Sequence, residues 1–186
     1  SIPTIDFLIN AGAKVILGSH LGRPKGIVNA DLSLKIVSER LSELMERPVI
    51  FCNDFKDKGW TNKFDKLAKG SVVLLENLRF FKEETDNDSE FSKLLASFAD
   101  IYVNDAFGTS HRAHASTFGM ATNFKSKLAG FLVDKELRFI SKMLEKVEKP
   151  FVVIIGGSKI KDKISAMSKL LDKADKIIIA GGAAYT

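Results

Sequence analysis

The stretch Ile101-Tyr-Val-Asn-Asp-Ala-Phe-Gly-Thr-Ser-His-Arg-Ala-His-Ala-Ser-Thr117 sets the architecture that we expect for the rest of the chain. It begins as a short apolar run and becomes polar at Asn104. A buried strand that runs directly into a polar, glycine-containing loop is typical of an open parallel sheet, whose ligand sites lie at the carboxyl ends of its strands. Two of the three histidines and one of the six arginines lie in this loop, which favours a functional loop over a surface loop with scattered charge.

Between Ala106 and about Gly130 the sequence shows no periodicity of a helix or a strand. Loops of this length in compact domains are usually functional or disordered. Disorder is disfavoured by a set of apolar anchors, namely Phe107, Phe118, Met120 and Phe124. We therefore expect one long, ordered loop without regular structure.

The composition indicates a globular protein in a reducing compartment. Hydrophobic residues make up 45% of the chain, no apolar run reaches membrane-spanning length, and no signal-peptide pattern opens the sequence. Cys52 is the only cysteine, which excludes an internal disulfide. The net charge of +5 suggests anionic partners without distinguishing nucleic acid from small phosphates, and the lysines form no basic block interleaved with aromatic residues.

Predicted strands alternate with predicted helices along the chain. The strands cover residues 14–17, 49–52, 71–76, 101–103, 151–155 and 176–180. This alternation implies parallel βαβ units with right-handed crossovers, so we predict an α/β fold with an open parallel sheet and helices on both faces, a Rossmann-like three-layer arrangement. The 71–76 strand is too apolar to alternate, as expected for a strand that is covered on both faces.

Three predicted helices carry specific expectations. Helical spacing gives the first an apolar face of Leu34, Val37, Leu41 and Leu44. A second helix begins with Asn87 and Glu90, which resemble a capping box. A third, long helix has Asp134 as its candidate N-cap and stops before Pro150.

Three predicted strand ends each deliver an arginine, namely Arg23, Arg79 and Arg112. A parallel sheet places these ends on one rim, so the three side chains can converge there. The histidines that would share the rim are His20, His111 and His114. Because the guanidinium group matches phosphate and carboxylate oxygens in pairs, the cluster suits a small, multiply charged anion. The alternative is three unrelated surface arginines.

His111 and His114 could also be a pair of metal ligands. No matching carboxylate or cysteine cluster accompanies them, and they lie in a loop rather than on a helix face. Metal ligation is therefore the weaker interpretation. A purely structural role for one of the two histidines stays open.

A second candidate site is Gly156-Gly-Ser-Lys159-Ile-Lys-Asp-Lys163. Its glycines allow a close approach to the backbone, and the start of the following helix favours anions. Lys159 and Lys163 are four residues apart, so both can reach one phosphate chain. The stretch matches neither a Walker A loop nor the G-x-G-x-x-G fingerprint. The Gly181-Gly182 pair after the next strand repeats the pattern and indicates a shelf for nucleotide phosphates.

Several motifs in register resemble successive signatures of the phosphoglycerate kinase family. They are His20-Leu-Gly-Arg-Pro, Leu75-Glu-Asn-Leu-Arg-Phe80, Val103-Asn-Asp-Ala-Phe-Gly-Thr, His111-Arg-Ala-His114 and Gly156-Gly-Ser-Lys159. They occur in that family's order and with similar spacing, and the resemblance covers essentially the whole chain. Gly181-Gly-Ala-Ala-Tyr departs slightly, since the family usually has a third glycine and a methionine there.

The resemblance implies roles for individual residues. The implied ligands of 3-phosphoglycerate or 1,3-bisphosphoglycerate are His20, Arg23, Arg79 and Arg112. The implied catalytic residues are Arg112 and Lys159, of which Lys159 would stabilise the phosphoryl group in transit. The implied contacts to ATP or ADP are Gly157, Lys159, Lys163, Gly181 and Gly182. No residue of the chain is implied as a metal ligand, because the family's magnesium-associated aspartate would lie outside it.

The resemblance also implies a domain organisation. Residues 1–129 would form the 3-phosphoglycerate-binding domain without its first strand, residues 130–148 the interdomain helix, and residues 149–186 the start of the nucleotide-binding domain. We therefore expect part of a two-domain glycolytic kinase that uses Mg-ATP or Mg-ADP and is cytoplasmic and monomeric when complete. It would bind neither nucleic acid nor a membrane. The chain as given is not expected to turn over alone, because positioning requires both substrates.

Two other classes of function compete with a phosphoryl-transfer enzyme. A nucleotide-dependent oxidoreductase on a doubly wound sheet predicts a G-x-G-x-x-G turn, which is absent from the sequence. A non-catalytic module that binds anions or nucleic acid predicts steeply salt-dependent binding of oligonucleotides and no preference for small phosphorylated acids.

Overall fold

A computed structural model of the chain describes residues 1–145, 147–157, 168 and 170–185. The chain forms two compact units, Ser1–Lys135 and Glu136–Thr186. The division falls inside the long helix α6, Phe131–Glu145. The domain boundaries at residues 129 and 148 concern functional domains and stay predictions.

The first sheet contains three parallel strands, β1 (Val15–Leu17), β2 (Val49–Cys52) and β3 (Val72–Leu75), in the order β1-β3-β2. All four residues of the central strand β3 are buried, as its continuous apolar sequence predicts. Residues of β3 take part in two separate core clusters, with Val73 and Leu75 in one and Val72 in the other. This confirms that the strand is covered on both faces.

Five helices belong to the same unit: α1 (Ile2–Asn10), α2 (Lys35–Met45), α3 (Lys58–Asp65), α4 (Lys82–Thr85) and α5 (Ser89–Ala96). Phe64 of α3 and Phe91 of α5 pack in the cluster with Val73 and Leu75. Ile5 and Ile9 of α1 pack in the cluster with Val72. The predicted α/β class with helices on both faces of a parallel sheet is confirmed.

Two further parallel pairs complete the described strands. β4 (Ile101–Asn104) pairs with β5 (Ser126–Ala129), and β6 (Val152–Gly156) pairs with β7 (Lys176–Ala180). The prediction that residues 106–130 contain no regular structure is wrong. Besides β5, this segment holds a π-helical turn, Ala115–Gly119, and short 3₁₀ turns. All four residues of β5 are exposed, so the strand is defined by its backbone pairing alone. Its sequence therefore shows no alternation of apolar and polar residues from which a strand could be predicted.

The apolar face of α2 differs from the predicted one. Leu34 and Ser38 are buried, whereas Val37 and Leu44 are 39% and 52% exposed. Leu41 packs against the core as predicted. The helix therefore meets the sheet along a stripe that is rotated from the predicted stripe, because a small serine takes a contact position where apolar spacing favoured valine.

The caps of two helices also differ from the predicted caps. At α5 the N-cap is Asp88, whose Oδ1 accepts a hydrogen bond of 2.8 Å from Phe91 N. Asn87 lies outside the helix at φ 55°. At α6 the helix begins at Phe131, and Asp134 lies inside its first turn. The backbone amide of Leu132, which has no partner within the helix, donates to Asp105 Oδ1 at 2.9 Å. Asp105 is 27 residues away, so the local sequence pattern could not identify it as the partner.

Candidate anion-binding site

The first sheet brings two polar loops to one edge. Leu17 at the end of β1 is paired with Leu74 near the end of β3, and the two strands are parallel. The loop 18–26 that follows β1 therefore lies beside the 3₁₀ turn Leu78–Phe80 that follows β3. Leu78 N donates to Ser19 O at 3.1 Å and joins the two segments directly.

Asn77 holds these loops together. Its side chain is fully buried, and its Nδ2 donates to Leu21 O at 2.8 Å and to Leu32 O at 2.9 Å. Its Oδ1 accepts from Arg79 N at 3.1 Å. One amide group thus fixes the backbone beside His20 and the backbone of Arg79. Sequence reasoning assigned Asn77 no role, because its partners are 45 and 56 residues away.

Arg79 lies half-buried at the centre of the site. Its Nη1 donates to Gly22 O at 2.9 Å, which the φ of +65° at Gly22 makes possible. Its Nε is buried and has no hydrogen-bond partner in the described parts of the chain. Burial lowers the pKa of the guanidinium, and the positive charges of Arg112 and Arg23 lower it further, against an opposing effect of Glu84.

His20 belongs to the same electrostatic neighbourhood. Burial lowers its pKa below the ordinary value, and the charges of Arg79, His114 and Arg112 lower it further. The imidazole is therefore predominantly neutral near pH 7. These effects show that His20, in the loop after β1, is within electrostatic range of residues in the loops after β3 and β4.

The segment after β4 supplies the other side of the site. Arg112 and His111 are exposed, and His114 is half-buried. Burial is the largest cause of the lowered pKa of His114; Glu84 opposes it, while Arg79, Arg112 and His111 add to it.

We call six residues the basic cluster: His20, Arg23, Arg79, His111, Arg112 and His114. The six lie in the loops after β1, β3 and β4, and their electrostatic effects on one another connect the three loops. β4 pairs with β5 outside the sheet of β1 and β3, so the single rim of one sheet stays a prediction. Positive groups that repel one another are stabilised when an anion enters between them. The ligand that each residue binds stays a prediction.

Sequence reasoning missed a buried carboxylate beside this cluster. Glu84 of α4 is 4% exposed and lies near His114, with 3.7 Å between Glu84 Oε1 and His114 Nδ1. It accepts hydrogen bonds from Ser116 N at 2.9 Å and from Ser116 Oγ at 2.6 Å. In the sequence Lys82-Glu-Glu-Thr85 it has the appearance of a solvated surface charge, so no local pattern distinguishes it from Glu83.

The second unit has turns of glycine at the ends of its strands. Gly156 and Ala180 are paired across β6 and β7, so Gly157 and Gly181 follow at the same edge. Both adopt positive φ, 115° and 65°. A Cβ built on Gly181 would lie 3.7 Å from Gly157 N, and Gly182 continues into the 3₁₀ turn Gly181–Tyr185. Lys159 and Lys163, the predicted phosphate contacts, lie outside the described residues.

The described ranges contain no group of three or more histidine, cysteine, aspartate or glutamate side chains arranged to hold a metal ion. In the same ranges no helix is long and apolar enough to span a membrane.

The family model of phosphoglycerate kinase matches residues 1–186. Among curated proteins, the phosphoglycerate kinase of Clostridium botulinum is 50% identical over 188 residues, and that of Clostridium novyi is 51% identical. Both alignments cover 100% of this chain and 47% of the relative. The chain therefore spans about half the length of these relatives.

Solved structures give the same result. The phosphoglycerate kinase of Coxiella burnetii superposes with a TM-score of 0.83 at 40% identity, over 97% of this chain and 45% of that one. The phosphoglycerate kinase of Pyrococcus horikoshii superposes with a TM-score of 0.85 at 32% identity, over 99% of this chain and 47% of that one.

Proposed function

The chain belongs to the phosphoglycerate kinase family, and from this premise we propose its role in a protein that has the full length of its relatives, called the full-length protein below. That protein reversibly transfers the acyl phosphate of 1,3-bisphosphoglycerate to ADP and releases 3-phosphoglycerate and ATP. It acts in glycolysis as a cytoplasmic monomer.

The basic cluster is the proposed binding site of the acid substrate. The observation that carries this proposal is the contact between the loops. Arg79 Nη1 donates to Gly22 O in the loop after β1 at 2.9 Å, and His114 Nδ1, in the segment after β4, lies 3.7 Å from Glu84 Oε1 in the helix that follows the Arg79 turn. The charges of the arginine and histidine side chains of these loops also act on one another. The buried Arg79 Nε, which has no partner in the described residues, is a donor suited to such a ligand. 3-Phosphoglycerate carries a phosphate and a carboxylate, and paired guanidinium donors recognise both groups.

The residues of the basic cluster differ in how firmly the structure holds them. Arg79 is held by Gly22 and Asn77 and provides a fixed donor, whereas the exposed Arg23 and Arg112 can close on the ligand. Arg112 is also proposed to neutralise charge on the phosphoryl group. Phosphoryl transfer to or from a carboxylate needs positioning and charge neutralisation more than a strong general base, and the cluster supplies both.

The glycine turns of the second unit are proposed to receive the nucleotide phosphates. Gly157, Gly181 and Gly182 allow the phosphates to approach the backbone closely. Lys159 and Lys163 are proposed to add positive charge, and Lys159 to stabilise the phosphoryl group in transit. The nucleotide is proposed to bind as its magnesium complex. Since the described residues offer no cluster of carboxylates for Mg²⁺, no step involving the metal is assigned to them.

The test of this proposal is a conservative substitution in the full-length protein. Arg112→Lys keeps the charge and removes the paired donors. We expect the affinity for 3-phosphoglycerate to fall roughly tenfold or more, because each charge-assisted hydrogen bond contributes on the order of 1.5–3 kcal/mol. Isothermal titration with 3-phosphoglycerate measures the change.

Arg40→Lys is the matched control. Arg40 lies exposed on α2, where its Nη1 is 2.6 Å from Glu43 Oε2. The control should bind 3-phosphoglycerate like the parent. Equal affinities of the Arg112→Lys variant and the parent would contradict the proposal, and so would a parent that binds oligonucleotides in preference to the small acid. The 186 residues alone are expected to give no measurable turnover in a coupled kinase assay, because they span about half the length of their relatives.

A further inference from the structure

We propose that Glu84 is a positioning residue of the basic cluster, which holds the segment that carries Arg112 and His114 at its working distance from Arg79. This inference rests on the proposed function and extends it to a residue that does not touch the substrate. A buried carboxylate beside a site for anions requires an explanation, because its charge repels the ligand that the site binds.

The location of Glu84 links two elements of the site. It lies in α4, which begins two residues after the turn that carries Arg79. Both carboxylate oxygens are used by a single residue of the segment after β4, since Oε1 accepts from Ser116 Oγ at 2.6 Å and Oε2 accepts from Ser116 N at 2.9 Å. The contact spans 32 residues of chain. It is therefore a tertiary connection between the two arginine-bearing elements.

The connection continues from Ser116 to the backbone of Arg112. Thr117 Oγ1 donates to Arg112 O at 2.8 Å, and His114 N donates to Thr117 Oγ1 at 3.3 Å. On the other side, the Tyr102 hydroxyl of β4 donates to Ser116 O at 3.1 Å. The turn after Arg112 is thus held at two residues. Ser116 is bonded by Glu84 of α4 and by Tyr102 of β4, and Thr117 is bonded to Arg112 itself.

The charges around Glu84 agree with a positioning role. The carboxylate opposes the lowering of the pKa of both Arg79 and His114, and after burial it is the second cause that raises the pKa of Tyr102 to about 12. The charged groups that act on His114 are Glu84, Arg79, Arg112 and His111. Glu84 is the only negative charge among them, so it compensates the repulsion that would otherwise push the Arg112 segment away from Arg79.

The test compares two neighbouring substitutions in the full-length protein. Glu84→Gln removes the buried charge without changing the shape of the side chain. Glu83→Gln is the matched control, because Glu83 is half-buried on the same short helix and pairs with Lys56 at 2.8 Å instead of with Ser116. The measurements are the KM for 3-phosphoglycerate, the KM for ATP and the affinity for 3-phosphoglycerate by titration.

A positioning role and a simple electrostatic role predict opposite signs. If Glu84 positions Arg112 and His114, Glu84→Gln weakens the binding of 3-phosphoglycerate about tenfold and leaves the KM for ATP unchanged, as expected for the loss of hydrogen bonds made by a charged group. If Glu84 acts only through its charge, its removal tightens the binding. Tighter or unchanged binding of 3-phosphoglycerate by the Glu84→Gln variant overturns the inference.

Two further measurements separate positioning from a purely structural effect. Ser116→Ala should also weaken the binding of 3-phosphoglycerate. The effects of Glu84→Gln and Ser116→Ala on this binding should be far from additive, because both substitutions break the same connection. By NMR titration, the pKa of His114 should fall in the Glu84→Gln variant and stay constant in the Glu83→Gln variant. A variant that only melts at a lower temperature, with substrate affinity and the pKa of His114 unchanged, also overturns the inference. Failure of the proposed function is a distinct outcome, in which the parent protein itself does not bind 3-phosphoglycerate.

Discussion

The two units of the molecule end their parallel strands in different ways. In the first unit, the loops after β1, β3 and β4 deliver charged side chains, Asn77 bonds two of these loops together, and Glu84 is proposed to position the third. In the second unit, β6 and β7 end in Gly157 and Gly181. Charged side chains could give a small acid, the proposed ligand, directional contacts, although their charges repel one another. Glycine turns expose the backbone, which suits a phosphate chain whatever it is attached to.

The central strand β3 of the first unit and the strand pair of the second unit differ in how they are covered. Every residue of β3 is buried, with exposed fractions of 0–3%. In β6 and β7, Ile154 is 71% exposed, and Ile178 and Ile179 are 49% and 47% exposed. The loop that carries Arg79 therefore follows a strand that is covered on both faces, whereas the glycine turns follow a strand pair with little cover from the described residues.

Hydrogen exchange gives the largest expected difference between the units. In the 186-residue chain, the amides of β3 should exchange about 100-fold more slowly than those of β6 and β7, because local opening of β3 must break two core clusters. Exchange measured by mass spectrometry on peptides covering the three strands tests this. Equal protection of β3 and β7 would show that the two units are equally stable.

The glycine turn gives a smaller, local effect. Gly181→Ala should make the amides of β7 exchange roughly tenfold faster, since a residue with a Cβ at φ +65° costs on the order of 1–2 kcal/mol. Gly156→Ala serves as the control, because Gly156 has no positive φ and its nearest contact would lie at 3.6 Å. The affinity of the first unit for 3-phosphoglycerate should not change in either variant. If both substitutions accelerated the exchange of the β7 amides equally, the positive φ of Gly181 would not be the cause.

The dependence of stability on pH gives the smallest effect, and it belongs to the first unit. All three histidines of the sequence lie at positions 20, 111 and 114, and the pKa values of His20 and His114 are lowered in the folded chain. The unfolded chain therefore binds more protons below about pH 6.5. The contribution of these two histidines to stability should be constant above that pH and should decrease as the pH falls from there through the lowered pKa values.

Denaturant titrations between pH 5 and pH 7.5 measure this pH dependence. The double variant His20→Gln, His114→Gln should flatten the curve in that range, and phosphate should oppose the loss of stability. A parent curve that stays flat down to pH 5 would refute the assignment to these two histidines.

The sequence predicted the strands other than β5 and their parallel pairing, because these follow from local apolar runs and from where each run ends. The single rim where the basic residues would meet stays a prediction. Sequence reasoning failed at β5, at the caps of α5 and α6 and at the apolar face of α2. At β5 and α6 the deciding partner is distant: β5 is defined by its backbone pairing to β4, and the Leu132 amide of α6 is bonded by Asp105. At α5 the cap is Asp88, one residue after the predicted Asn87.

By its own pattern, the sequence determined that this chain is an α/β protein of the phosphoglycerate kinase family with arginines at three strand ends. Only the tertiary structure decided which polar residues hold that site. No sequence pattern distinguishes Asn77 and Glu84 from exposed polar residues, yet each is buried and hydrogen-bonded to a segment at least 32 residues away. The physical reason is that burying a polar group is costly unless its hydrogen bonds are satisfied, and the partners that satisfy them exist only after the chain has folded.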